Sequence, residues 1–190
     1  MSDIEVRKGE SAEFFERRTA TEPIFKGRII DVRRDTVELV GGHTTTREVV
    51  SHVGGVGIVA LDKEDNVLLV RQYRYPIGAE LIEIPAGTLG RGEDPGECGI
   101  RELWEETGAV AGRFTSLGST LSSPGFSDQR IYLYLAEELS FGQGQLDEDE
   151  FLSVFRMPLA ELVDRILSGE IDDGKTVAGV LKVWALRHRK

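Results

Sequence analysis

Residues 95–107 constrain the fold of this chain more than any other stretch. Asp94 can offer a side-chain oxygen to the free amides of a helix start, Pro95 suits the first helical position, and Glu97 stands three residues after Asp94 as in a capping box. Gly108 supplies a left-handed stop. The spacing therefore predicts a helix over Pro95–Thr107. Gly96 and Gly99 weaken it by about 1 kcal/mol each relative to alanine, so it must draw on its caps and on tertiary packing. Glu102, Glu105 and Glu106 share one arc of this helix, at i,i+3 and i,i+4 spacing, and Ile100, Leu103, Trp104 and Thr107 fall opposite. The helix is expected to pack on its apolar side and to present three like charges on the other. Arg101 is placed to pair with Glu105 one turn on. Such a face is either a solvated surface or a divalent-metal site, since hard cations take carboxylate oxygens and bridge to substrate phosphates.

Strand signals dominate the chain before this helix. Phe25–Val32, Thr36–Val40 and Arg47–Val53 are β-branched-rich runs, with Gly41-Gly42 as a turn. Val56–Leu61 and Val67–Tyr73 are apolar runs joined by Asp62-Lys63-Glu64-Asp65-Asn66, which reads as a hairpin loop. Leu81–Ile84 is a short strand ending at Pro85. After the helix, strands are expected at Phe114–Leu121, Arg130–Ala136 and Phe151–Arg156, then helices at Leu159–Leu167 and Thr176–Arg187. This order predicts a layered α+β domain rather than a doubly wound one. Residues 1–50 form a strand-rich extension and residues 51–190 the main domain in this reading.

Charge narrows the function. The 190 residues hold 23 Lys+Arg and 33 Asp+Glu, a net charge of −10. That balance argues against nucleic acid and against a polybasic membrane anchor. An acidic protein acting on a phosphorylated substrate needs cations to mediate. The single cysteine, Cys98, excludes an intramolecular disulfide, and no zinc spacing is present. The first fifteen residues hold no apolar run, so no signal peptide and a cytoplasmic location are expected.

The helix belongs to a longer pattern. Gly87 is followed after five residues by Glu93, and after seven more by Arg101-Glu102-Leu103-Trp104-Glu105-Glu106-Thr107-Gly108-Ala109. This resembles the Nudix box at every fixed position, with Ala109 a small residue where the box has a bulky aliphatic one. Within that family the chain looks like the ADP-ribose pyrophosphatase group. The features are Arg71-Gln72-Tyr73-Arg74, the lead-in Glu80–Gly87, Ser123-Pro124-Gly125, the late acidic run Glu148-Asp149-Glu150, and an N-terminal strand stretch at Phe25–Arg28.

The resemblance implies the Nudix fold, a mixed β-sheet sandwiched between α-helices, with an N-terminal antiparallel strand extension used for dimerisation. It implies metal-dependent hydrolysis of the ADP-ribose diphosphate to AMP and ribose 5-phosphate. Another nucleoside diphosphate sugar such as GDP-mannose, a broad-range activity, and a non-catalytic ligand sensor are the alternatives. Two or three Mg²⁺ (or Mn²⁺) ions would be held by Glu102, Glu105, Glu106, Glu150 and the Ala86 carbonyl. Catalytic roles fall to Glu148 as first choice of base, then Glu150, with Glu105 and with Arg101 as an orienting partner. Arg74, Arg71, Arg28 and Pro124 are implied as substrate contacts, and Glu83 as a contact or a support. A homodimer is implied, with no nucleic acid and no membrane as partner.

Overall fold

The computed structural model describes residues 13–142 and 151–189, and the chain divides into two compact units. The smaller holds the chain up to His52 together with Ser123–Gln129, and the larger holds Val53–Ser122 and the chain from Arg130 on.

The smaller unit is a three-stranded antiparallel sheet in the order β1 (Arg17–Lys26), β2 (Ile30–Glu38), β3 (Thr44–His52). The single strand expected over Phe25–Val32 is in fact two strands and a turn. The Gly27 amide donates to the Ile30 carbonyl at 2.9 Å, closing a tight hairpin inside an otherwise continuous β-branched run. Local propensity could not reveal this, because both sides of the turn are good strand formers. The buried Asp35 (5% exposed) accepts from Thr21 Oγ1 at 2.6 Å and Arg33 Nε at 3.0 Å. Arg33 goes on to Ser51, and Ser51 to Asp128, which ties the 123–129 loop to β3.

The larger unit is built on a mixed seven-stranded sheet. Its path is β10 (Leu152–Pro158), β5 (Asn66–Arg74), β4 (Gly55–Leu61), β9 (Arg130–Phe141) and β8 (Ala109–Leu121). Beside it, β6 (Ala79–Glu83) pairs with β5 and β7 (Ala86–Thr88) with β4. β4 and β9 run parallel and the other pairs antiparallel. Helix α1 (Pro95–Thr107) covers one face, and α2 (Leu159–Leu167) with α3 (Gly174–Arg187) the other.

Both faces of β4 are buried, which is why it reads as a continuous apolar run instead of an alternating one. Val56, Ile58 and Ala60 pack with Leu103 of α1, whereas Val59 and Leu61 pack with Leu162, Val180 and Val183 of α2 and α3. This sandwich agrees with the expected fold class. Helices α1 and α2 span the expected residues, because their start and stop signals are local. Strands β8 and β9 run further than expected. Ala109–Arg113, poor in strand formers, is drawn into the sheet by its pairing with Glu137–Phe141. Among the described residues no helix is long and apolar enough to cross a membrane.

Candidate active site

Helix α1 starts and stops as its sequence dictates. Asp94 Oδ1 accepts from the amides of Gly96 at 2.8 Å and Glu97 at 3.1 Å. Gly108 closes the helix at φ 69°, a conformation open to glycine at little cost. The face it buries is not the expected one. Ile100 is 52% and Trp104 36% exposed, whereas Cys98, Gly99, Glu102, Leu103 and Glu106 are buried. Two of the three glutamates thus point into the protein, against β7. Glutamate is almost never buried without a partner, so these two are held for a reason other than solubility.

Each carboxylate has a defined holder. Glu106 Oε2 accepts from the backbone amide of Ala86 at 3.1 Å. Glu102 lies against Gly87, where a Cβ would fall 1.9 Å from its Cδ. Only glycine leaves room for this carboxylate. Arg101 joins the rest. Its Nε reaches Glu93 Oε1 at 3.1 Å, and its Nη1 lies 2.8 Å from both Glu102 Oε1 and Glu105 Oε2. The Gly90 amide also donates to Glu93 at 2.7 Å. Hydrogen bonds from Arg101, then that from Gly90, hold the Glu93 carboxyl below the usual carboxylate range. Hydrogen bonding to Glu93, then the charge of Glu102 and hydrogen bonding to Glu105, raise the Arg101 pKa against the opposing effect of burial, so this cation is permanent.

A second ionic group lies on β5 and β6. Glu83, fully buried, receives Arg74 Nε at 2.7 Å and Nη2 at 2.6 Å. Lys175 of α3 contacts Glu83 Oε2 and lies 3.0 Å from Asp173. Burial pushes the Glu83 carboxyl up, but Arg74 and Lys175 outweigh it and hold it below its ordinary range. Both oxygens of Glu83 are therefore engaged inside the protein. The hydrogen bonds to Glu83 raise the Arg74 pKa, and the nearby charges of Asp173 and Glu106 add to this.

The larger unit thus brings together Ala86, Glu102, Glu105, Glu106 and Arg101, with Arg74 within electrostatic reach of Glu106. Arg71 is set apart from Arg74. Alternation along β5 sends them to opposite sides, and the Arg71 guanidinium stands 5.6 Å from the Phe155 ring centroid. Arg28, in the turn after β1, and Pro124, in the 123–129 loop, belong to the smaller unit. Glu148 and Glu150 lie outside the described residues. Lys175, Asp173 and Thr176 were not among the expected site residues. One signal for Lys175 was present: a cation in the first turn of a helix opposes the helix dipole and needs a local anion.

The donor set fits a hard divalent cation. Glu102 (8% exposed) and Glu106 (5% exposed) present carboxylate oxygens beside one backbone segment. Among the described residues no three acidic, imidazole or thiol groups are gathered as a complete cage. Mg²⁺ does not require one, because it keeps several waters and is held by one or two carboxylates and substrate phosphates.

Comparison with known proteins agrees with this geometry. Residues 51–179 match the NUDIX domain, and residues 16–50 match the nucleoside diphosphate sugar hydrolase N-terminal domain. The chain is 41% identical over 181 residues to the methanol dehydrogenase activator of Bacillus methanolicus, covering 93% of this chain and 98% of that protein. It is 40% identical over 167 residues to the ADP-ribose pyrophosphatase of Bacillus subtilis (strain 168), covering 87% and 90%. A crystal structure described as an ADP compounds hydrolase superposes with a TM-score of 0.79 over 90% of this chain and 95% of that one; at 23% identity it speaks for the fold. A complete box on a capped helix, two buried glutamates and a domain match over residues 51–179 lead to one conclusion: the chain belongs to the Nudix family of hydrolases.

Proposed function

We propose that the protein hydrolyses the diphosphate of ADP-ribose to AMP and ribose 5-phosphate. The observation that carries this reading is the pair of buried carboxylates, Glu102 and Glu106, held beside Ala86 and Gly87. The likeness to an ADP-ribose pyrophosphatase over 87% of the chain supports the substrate. Divalent cations, Mg²⁺ in the first place and two or three in number, would be held by Glu102, Glu105, Glu106, Glu150 and the Ala86 carbonyl. When bound, they neutralise the diphosphate oxygens and lower the pKa of the attacking water.

The residues of the chain do the positioning. Arg101 keeps Glu102 and Glu105 in place from one side, and the Ala86 amide keeps Glu106 in place from the other. Arg74 meets the diphosphate or the terminal ribose; Arg71, Arg28 and Pro124 are carried as substrate contacts by the family resemblance alone. Glu148 takes the proton of the attacking water, with Glu150 second in line. Both rest on the sequence pattern of the late acidic run. A cytoplasmic homodimer completes the proposal. β1 is exposed along its whole length, and Ile24 and Phe25 are 51% and 56% exposed, which supports a partner for this sheet.

The test is nucleotide release from ADP-ribose and from GDP-mannose, with Mg²⁺ and with EDTA. ADP-ribose with Mg²⁺ should yield AMP at the highest kcat/KM. Glu106→Gln should remove nearly all of it while leaving the melting temperature near the wild-type value. Full activity of that variant at saturating Mg²⁺ would sink the reading.

A further inference from the structure

The first turn of α3 packs its polar residues into the protein: Lys175 and Thr176 meet the segment that leads into β7, and Asp173 holds both of them. Asp173 caps the helix, accepting from the Thr176 amide at 3.0 Å and from Thr176 Oγ1 at 2.6 Å. Thr176, fully buried, accepts in turn from the Ile84 amide at 2.9 Å. Lys175, with a side chain 13% exposed, joins Asp173 to Glu83. The next residues are also fixed. The Pro85 carbonyl accepts from the Ile58 amide at 2.8 Å, and the Ala86 amide donates to Glu106. One helix end therefore anchors residues 83–84 immediately before the backbone that faces the buried glutamates.

Glu83 is the hub of this arrangement. It presents two oxygens to two cations, and a lone buried carboxylate beside a single guanidinium would leave lone pairs unfilled. Arg74 spends Nε and Nη2 on Glu83, which leaves Nη1 on the outer edge of a guanidinium whose side chain is 39% exposed. Its rotamer is thus set by Glu83, and Glu83 is held in turn by Lys175 at the capped start of α3.

We propose that Lys175 is a positioning residue of this enzyme: acting through Glu83, it fixes the guanidinium of Arg74 at the edge of the site, where Nη1, which makes no hydrogen bond among the described residues, can meet an anionic group of the substrate. The ligand half of this statement rests on the substrate contact assigned to Arg74 above; the positional half does not. Lys175 touches no substrate. Its removal leaves Glu83 with one cation and Arg74 with a carboxylate free to turn.

The experiment uses the full chain and four variants: Lys175→Met, Lys175→Arg, Arg74→Ala and Arg74→Lys. The first readout is the side-chain Nε–Hε NMR signal of Arg74, identified by its absence from both Arg74 variants. It should be shifted and slowly exchanging in the wild type. It should move toward the free-arginine position in Lys175→Met and return in Lys175→Arg. The second readout is the kinetics with ADP-ribose at saturating Mg²⁺. Loss of a binding contact raises KM with little change in kcat, so Lys175→Met should raise KM about tenfold with kcat within about twofold, and Lys175→Arg should restore it. An Arg74 signal that stays in place in Lys175→Met, with KM unchanged and only a lower melting temperature, overturns the proposal. If Arg74→Ala keeps wild-type kinetics while Lys175→Met moves the signal, the substrate contact assigned to Arg74 is wrong and the positional inference stands. Should Lys175→Met not fold, Lys175→Ala, which also removes the contact to Glu83, carries the same readouts and the same expected outcomes.

Discussion

Glu102 fills the space that a side chain at position 87 would need: a Cβ on Gly87 would lie 1.9 Å from Glu102 Cδ and 2.0 Å from Oε1. The atoms in the way are the far end of a flexible side chain, so Gly87→Ala can be accommodated by turning the carboxylate aside. The cost then falls on the site and not on the fold. Gly87→Ala should lower kcat by about 10- to 100-fold, the range typical of displaced metal-supporting groups. Its melting temperature should stay near that of the wild type. Activity assays beside thermal melts check this, and an inactive variant that has also lost most of its stability would speak against it.

This relationship shows where the sequence was legible. The helix over Pro95–Thr107 was readable because Asp94, Pro95 and Gly108 act within one turn of their own position. The three-glutamate arc was readable from the helical period alone. Its burial was not, because that depends on β7, which forms only by pairing with β4 some thirty residues earlier. The apolar residues Ile100 and Trp104 misled the assignment of the packed face. The small residues Cys98 and Gly99 occupy it, since Gly99 lets Phe114 approach to where a Cβ would be 2.9 Å from its ring. Lys175 and Glu83 meet across 92 positions of sequence, beyond any local pattern.

Cys98 is fully buried. Burial first, and the charges of Glu93 and Glu102 next, push its thiol up to about 12. The thiolate is the reactive form, so at pH 8 this group should be nearly inert in the folded protein. Native protein treated with iodoacetamide should gain no label over a period that labels the urea-unfolded chain completely. Rapid labelling of the native state would show that the packing beneath α1 opens readily.

Acid should weaken the fold through three carboxylates. Glu83 is held low by Arg74 and Lys175 against the opposing effect of burial, Glu93 by Arg101 and the Gly90 amide, and Asp35 by Thr21 and Arg33. Each binds a proton less readily folded than unfolded. The resulting stability is present above the unfolded values, 4.5 for the glutamates and 3.8 for the aspartate, and is lost as pH falls through the lower folded values. From these groups, the urea midpoint should be level between about pH 7 and 5.5 and should drop below about pH 4.5. Glu83→Gln should start lower at neutral pH and show a shallower acid decline. An equally steep decline would assign the acid limb to other groups.

Arg101 occupies the charge centre that a divalent cation would share. Its Nη1 lies 2.8 Å from both Glu102 and Glu105, and these two carry like charge one turn apart. Removing the guanidinium exposes that repulsion. Its side chain is 40% exposed and solvent screens the pairs, so Arg101→Ala should cost about 1 kcal/mol or less in EDTA. A divalent cation can replace the lost charge. Mg²⁺ should therefore raise the melting temperature of Arg101→Ala more than that of the wild type, whose guanidinium already neutralises part of the cluster. Arg101→Lys keeps the charge but not the fork that spans Glu93 and Glu105, so it should respond to Mg²⁺ like the wild type while losing activity. Melts of the three proteins in EDTA and in a Mg²⁺ series decide the point. A cation response that is the same in Arg101→Ala as in the wild type would mean that the metal binds away from Glu102 and Glu105.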